Sequence, residues 1–251
     1  QDLLHWELLQ KFDLPGDDEC PDLYPLTADD GRTLWVYSGA HDMYFVGDFD
    51  ENGLYQPIQS VGQLSYNSQS YAAQTYYYEP GKPVISFAWN RSDIPGAPFN
   101  GSMCTPTEMT LKKHGDRYYL SALPIKSTEN LVVKSDKLDD FTLTHCTHEL
   151  GSKTCRISFT VKEGDLTCNL YGLEMKLDKN GLTCGESILP RLKNEPMKVD
   201  IITDTNSVEI YLNGVANTVI AHVLDETKPT FTIHAEDPVE VQNLTVSELS
   251  L

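Results

Sequence analysis

Hydrophobic positions along the chain fall in short runs rich in Val, Ile, Tyr, Phe and Thr, and a helical period is nearly absent. Turn residues break these runs, which predicts an all-β protein. One series of expected strands covers residues 34–38, 43–49, 71–78, 83–89 and 117–123. A second covers 154–162, 167–177, 197–203, 207–212, 216–223, 229–234 and 239–249. Between them Asn52-Gly53, Asn180-Gly181 and Asn213-Gly214 supply residue pairs that tolerate positive φ, as tight hairpins require.

The two series differ in character. Up to about residue 125 the strands are aromatic-rich and joined by long Gly/Pro loops such as residues 94–101; beyond about 135 they alternate more cleanly on short turns, as in a two-sheet sandwich. The expected division is a first domain over 1–125, a polar linker over 126–137 and a β-sandwich over 138–251. A chain of 251 residues is long enough for each part to bury its own core. Its start at Gln1, with Leu3, Leu4 and Trp6 following at once, reads as a cut in a longer sequence.

Charge narrows the function classes. Nineteen Lys and Arg against 37 Asp and Glu give −18, a surface that repels phosphate backbones and anionic lipid, so neither nucleic acid nor a membrane surface is an expected partner. No apolar run approaches the roughly 20 residues of a spanning helix. Six scattered cysteines without a C-x-x-C are read as buried free thiols rather than a disulfide framework or zinc ribbon. Sequons start at Asn90, Asn100 and Asn243 and matter only in a glycosylating host.

The sharpest local pattern is Glu19-Cys20-Pro21-Asp22-Leu23-Tyr24, preceded by Asp2-Leu3-Leu4-His5-Trp6. Taken alone, a Glu before a proline is usually a solvated turn residue. In order along the chain follow Trp35–Ser38, Tyr44–Asp50, Tyr71-Ala72-Ala73-Gln74, Pro106-Thr107-Glu108-Met109 and the stretch Asp204–Gly214 with its Ser-Val-Glu-Ile-Tyr core. This collinear set resembles glycoside hydrolase family 32, the β-fructosidases that include invertases, inulinases and levanases. The resemblance implies a five-bladed β-propeller followed by a β-sandwich. It also implies retaining hydrolysis of terminal fructosyl bonds by an Asp nucleophile and a Glu acid/base, with no cofactor and no metal.

Residue by residue, Glu19 matches the family's acid/base. Asp22 of the same segment and Trp89, where the family has G-W, are the candidate substrate-binding residues, although Ala88 replaces that glycine. The family's N-D-P-N-G and R-D-P motifs, which carry the nucleophile and a fructose-binding Asp, do not occur in these 251 residues. The resemblance therefore points to the C-terminal portion only, the last two blades or so plus the sandwich, inactive alone. Expected partners are a fructose-containing sugar and either a complementary chain with the missing blades or a second copy.

Several departures favour an alternative, a degenerate non-catalytic carbohydrate-binding or structural module. Asp18 stands where the family has an aromatic residue, Thr107 where it has Arg, and the stretch Leu64–Ala72 lacks both of the family's acids. Weaker signals read as ordinary structure: Asp48–Gly53 as a turn rather than a calcium loop, His145 and His148 as edge-strand residues rather than zinc ligands, and Tyr76–Tyr78 with Trp35 as packing.

Overall fold

The computed structural model describes every residue except 1, 68, 77–80, 94, 95, 97, 223 and 251. Tyr77 and Tyr78 of the tyrosine run thus lie outside the described residues. The fold is all-β, in three antiparallel sheets. The first holds β1 (Asp22–Thr27), β2 (Thr33–Ser38), β3 (Met43–Phe49) and β4 (Tyr55–Pro57) in that order, with β5 (Gly62–Gln63) also paired to β3. The second comprises β6 (Ser70–Tyr76), β7 (Val84–Asn90), β8 (Ser102–Met103), β9 (Thr107–His114) and β10 (Arg117–Pro124). Its order is β10-β9-β7-β6, with β8 beside β7.

Alternation builds a core shared by these two sheets. Leu34 and Val36 on β2, Tyr44 and Val46 on β3, Met109 and Leu111 on β9, and Leu120 and Ala122 on β10 form one buried cluster. The residues between them on each strand are more exposed. The parallel bridge from Ala28 to Leu111 ties the end of the first sheet to the second.

The third sheet contains β11 (Val132–Lys137), β12 (Phe141–Glu149), β13 (Cys155–Val161), β14 (Leu166–Leu170), β15 (Leu173–Asp178), β16 (Gly181–Cys184) and β17 (Ser187–Pro190). It continues with β18 (Met197–Thr203), β19 (Ser207–Leu212), β20 (Ala216–Ala221) and β21 (Thr230–Leu249). The segment expected as a linker opens with a 3-10 helix, Lys126–Leu131, and ends as β11. Two expected strands, 229–234 and 239–249, are one 20-residue strand, β21. The run expected at 167–177 is instead a hairpin, because Tyr171 (φ 48°) and Gly172 (φ 87°) turn the chain between β14 and β15.

Strand β21 runs through both layers of this unit. Its first half pairs with β12 and β14, its second with β11 and β13. Strands β15, β16 and β17 extend one layer; β18, β19 and β20 extend the other. Side chains such as Ile157, Leu170, Met175, Leu182, Ile201, Ile210, Phe231 and Val241 fill the space between. Cys155, Cys168 and Cys184 belong to that core, and all six cysteines are free thiols. No helix among the described residues is long and apolar enough to cross a membrane.

Every residue of β19 is buried, which a strand with one wet face does not show. Val208, Ile210 and Leu212 face the sandwich core. The alternate residues Glu209 and Tyr211 face the second sheet. There Glu209 Oε1 accepts hydrogen bonds from the Thr105 backbone N–H (2.9 Å) and hydroxyl (3.0 Å), and its Oε2 accepts one from the Tyr211 hydroxyl (2.6 Å). Burial nevertheless pushes the Glu209 carboxyl above the usual range. Backbone pairs Tyr66 N–H to Asn217 O (2.8 Å) and Ala122 N–H to Gly214 O (2.8 Å) complete the seam.

Removing Glu209 strands these buried donors. Glu209→Ala is expected to lower unfolding free energy by about 3 kcal/mol, and Glu209→Gln, which keeps an acceptor for Thr105, by less than half of that. Chemical denaturation of the three proteins checks this; equal losses for Ala and Gln would remove the hydrogen-bonding role.

Candidate functional site

The segment from Asp17 to Asp22 is stitched in place rather than left as a solvated turn. Asp17 is buried and accepts a hydrogen bond from the His41 backbone N–H (2.6 Å), with His41 Nδ1 at 3.2 Å. The carbonyl of Glu19 accepts the Ala40 N–H (2.9 Å), and that of Cys20 accepts Gln74 Nε2 (3.0 Å). Cys20 adopts φ 48°, a left-handed backbone that turns the chain into β1. These contacts come from the β2–β3 turn and from β6, so both small sheets fix the segment.

At its centre the exposed Glu19 carboxylate accepts a hydrogen bond from the Tyr71 hydroxyl. The bond to Glu19, followed by partial desolvation, pushes the Tyr71 phenol up to about 12, so it stays a donor. The Tyr71 ring is held on two sides: His41 meets it edge-on at 4.7 Å, and the Arg91 guanidinium lies 4.1 Å from its centroid. Beyond Tyr71 the β6–β7 register shifts, where Ala72 takes φ 52° and donates its N–H to Ala40 O (2.8 Å). Such a bulge re-aims the side chains beside it.

Trp89 on β7 lies directly across from Tyr71 and, on its other side, from Met103, so the three side chains share a face. It is 42% exposed. Gly101 (φ 75°) leaves room for it, since a Cβ there would sit 2.2 Å from the indole nitrogen. Asp22 stands close by in a different role: its Oδ2 accepts the Thr75 N–H (2.7 Å) and its Oδ1 the Leu23 N–H (2.9 Å), tying β1 to β6.

Topology therefore brings Glu19, Tyr71 and Trp89 together, with Asp22 at the β1–β6 tie. In the sequence Tyr71 stands out only as part of the Tyr71-Ala72-Ala73-Gln74 segment. His41 and Arg91 carried no signal, because their effect depends on turn geometry. Thr107, at the position of the family's Arg, is buried in β9 with its hydroxyl toward Met109 Sδ (3.6 Å). Of the segment Asp48–Gly53, Asp48 and Phe49 end β3, and the turn that follows is organised by Asp50, whose Oδ1 accepts the N–H groups of Asn52 and Leu54 (2.9 Å each). Among the described residues no cluster of three His, Cys, Asp or Glu is arranged to hold a metal.

The three sheets define an all-β protein whose architecture is consistent with a propeller followed by a sandwich. Residues 1–122 match the glycosyl hydrolases family 32 N-terminal domain, so a domain of that type is present there and the chain is related to that family. The restriction of the resemblance to the family's C-terminal portion does not stand, because the matched region is its N-terminal, catalytic domain.

Fructan beta-fructosidase of Streptococcus mutans is 29% identical over 139 residues, 45% of this chain and 10% of that one. Levanbiose-producing levanase of Bacillus subtilis is 27% identical over 179 residues, 63% of this chain and 33% of that one. The exo-inulinase structure from Aspergillus awamori superposes with a TM-score of 0.76 at 17% identity, covering 99% of this chain and 60% of that one. The chain thus spans less than two thirds of each of these proteins.

Two outcomes follow from the geometry. Gly101→Ala is expected to displace the Trp89 indole and shift tryptophan emission, a shift absent when the same change is made in a Trp89→Phe background. Asp42 (φ 58°) carries a buried carboxyl in the β2–β3 turn, raised from 3.8 to about 7 first by desolvation and then by Asp17. A raised folded-state pKa gives stability that is complete below about pH 4 and is lost as pH rises through about 7, on the order of 4 kcal/mol. Asp42→Asn, whose side chain tolerates the same backbone, is expected to flatten the fall in thermal midpoint over that window. An unchanged slope would assign the pH dependence elsewhere.

Proposed function

We propose that the chain carries the proton-donating side of a β-fructosidase-like glycosidase site for sucrose or fructans, with Glu19 as general acid/base. One observation carries the reading: an accessible carboxylate is oriented by the Tyr71 phenol, across the register from the exposed face of Trp89. A proton donor must be both reachable and fixed in direction. The apolar indole face suits the C–H surface of a furanose ring. Asp22 contributes from the side, each of its oxygens keeping a lone pair beyond the one backbone N–H it accepts. The matched fructan beta-fructosidase and levanase support the substrate class.

In this reading the two five-stranded sheets are propeller blades and the third unit is their companion sandwich. Retention requires a nucleophilic carboxyl only about 5–5.5 Å from the acid/base. The N-D-P-N-G and R-D-P motifs are absent from the 251 residues, so the chain by itself binds fructosides and releases no fructose. The buried Thr107 in place of an arginine favours a second reading, a carbohydrate-binding module of the same fold that never hydrolyses.

Titrating the chain with inulin and levan oligosaccharides, read by tryptophan emission, is expected to show saturable binding that Trp89→Ala weakens at least tenfold. Absence of binding overturns both readings. In the natural protein that carries this sequence, Glu19→Gln is expected to lower fructose release by about 100-fold or more. Unchanged release removes Glu19 from the chemistry, and a natural protein that binds without any turnover leaves the module.

A further inference from the structure

A second cavity, of about 450 Å³, opens where all three sheets meet and shares no residue with the surroundings of Glu19. His114, Arg117, Arg191 and Lys193 line it together with Tyr66 and Tyr119, and no Asp or Glu does. That is against the grain of a chain with 37 acidic and 19 basic residues.

The two guanidinium groups are fixed in direction by neutral acceptors. Arg117 donates to Ser60 Oγ (2.7 Å), Ser60 O (2.9 Å) and Val61 O (2.8 Å), and its guanidinium lies 5.8 Å from the Tyr119 ring centroid. Arg191 donates from Nε to Glu195 O (3.0 Å) and from Nη2 to Lys162 O (2.8 Å). Carbonyl and hydroxyl oxygens orient these cations without cancelling their charge. Glu195 beside the cavity is shared between Lys112 (3.3 Å) and His114 (3.5 Å), and Glu163, Asp165 and Glu240 stand with Arg191 and Lys193 in an adjoining groove. Lys193 is exposed and makes no ion pair or hydrogen bond among the described residues, nor do the hydroxyls of Tyr66 and Tyr119.

Oriented guanidinium groups, an exposed ammonium and two phenol donors are the set that recognises a phosphoryl oxyanion. The Tyr66 and Tyr119 rings add faces for an apolar C–H surface, and the volume suits a ligand of mono- or disaccharide size. We infer that this cavity is a binding site for a phosphorylated sugar, formed by the junction of the sheets and separate from the Glu19 site.

Isothermal titration of the 251-residue chain with fructose 6-phosphate, fructose and inorganic phosphate tests the inference. Fructose 6-phosphate is expected to bind at least tenfold more tightly than either of the others, and the affinity is expected to fall as salt rises. Lys193→Ala and Arg191→Gln are expected to weaken it at least fivefold, whereas Glu19→Gln and Trp89→Ala leave it unchanged. Lys193 is exposed and unpartnered, so its loss leaves the fold intact and gives a clean measurement. Equal affinity for inorganic phosphate overturns the sugar assignment. Binding that survives Lys193→Ala and Arg191→Gln, or that is lost with Trp89→Ala, overturns the location. No heat with fructose 6-phosphate overturns the site.

Discussion

The buried carboxyl of Glu209 sets the relation between the two halves of the protein. It projects from strand β19 of the sandwich toward the second sheet, where it accepts the backbone N–H and hydroxyl of Thr105, while the phenol of Tyr211 on its own strand donates to its other oxygen. A charge or acid placed there without partners would oppose folding; the two Thr105 donors from across the seam tie it to one docking geometry. The strand that carries it has no wet face, so the sandwich cannot satisfy β19 alone. Buried Asp42, Cys104 and Tyr211 line a small cavity at that seam together with Glu209.

The candidate catalytic segment depends on the same order of construction. Asp17, Glu19 and Cys20 have no regular strand of their own to sit in; they borrow acceptors and donors from the β2–β3 turn and from β6. Their position is therefore only as well defined as the packing of the first sheet against the second. Tyr71 makes the link between structure and chemistry, since one side chain touches the acid, the His41 ring and the Arg91 cation. Charge is also distributed unevenly: in a chain at −18, the cavity around Arg117 and Tyr119 has no Asp or Glu in its lining.

How far the sequence disclosed this arrangement varies with the physical signal each element carries. Strands β3, β18 and β19 fall where their hydrophobic runs predict, at 43–49, 197–203 and 207–212. Each is strongly buried on at least one face, and the pattern reports burial. Strand β9, with Glu108, Lys112, Lys113 and His114 among its eight residues, and the four-residue strands β16 and β17 gave no comparable run. The hairpin at Tyr171-Gly172 was hidden inside what read as one strand, since tyrosine does not advertise a left-handed backbone. The same holds for Cys20 and Ala72, whose positive φ values shape the site. Glu19 could be singled out only by resemblance: an acid before a proline is common, and what distinguishes this one, the Tyr71 hydroxyl, lies 52 residues away in sequence.

The long final strand has a consequence for how the molecule comes into being. Strand β21 is shared by both layers of the sandwich, pairing β11 and β12 some hundred residues earlier and β13 and β14 between them. Contacts so distant in sequence close slowly, because loop entropy is lost before they are rewarded. On the ribosome the centre of both layers emerges only after all the strands it joins. Until then β12, β13 and β14 wait with open edges beside the apolar faces that β21 will cover. Synthesis that stops short of Thr230 would leave a sandwich without its middle, an aggregation-prone state whose rescue falls to chaperones rather than to the chain's own local structure.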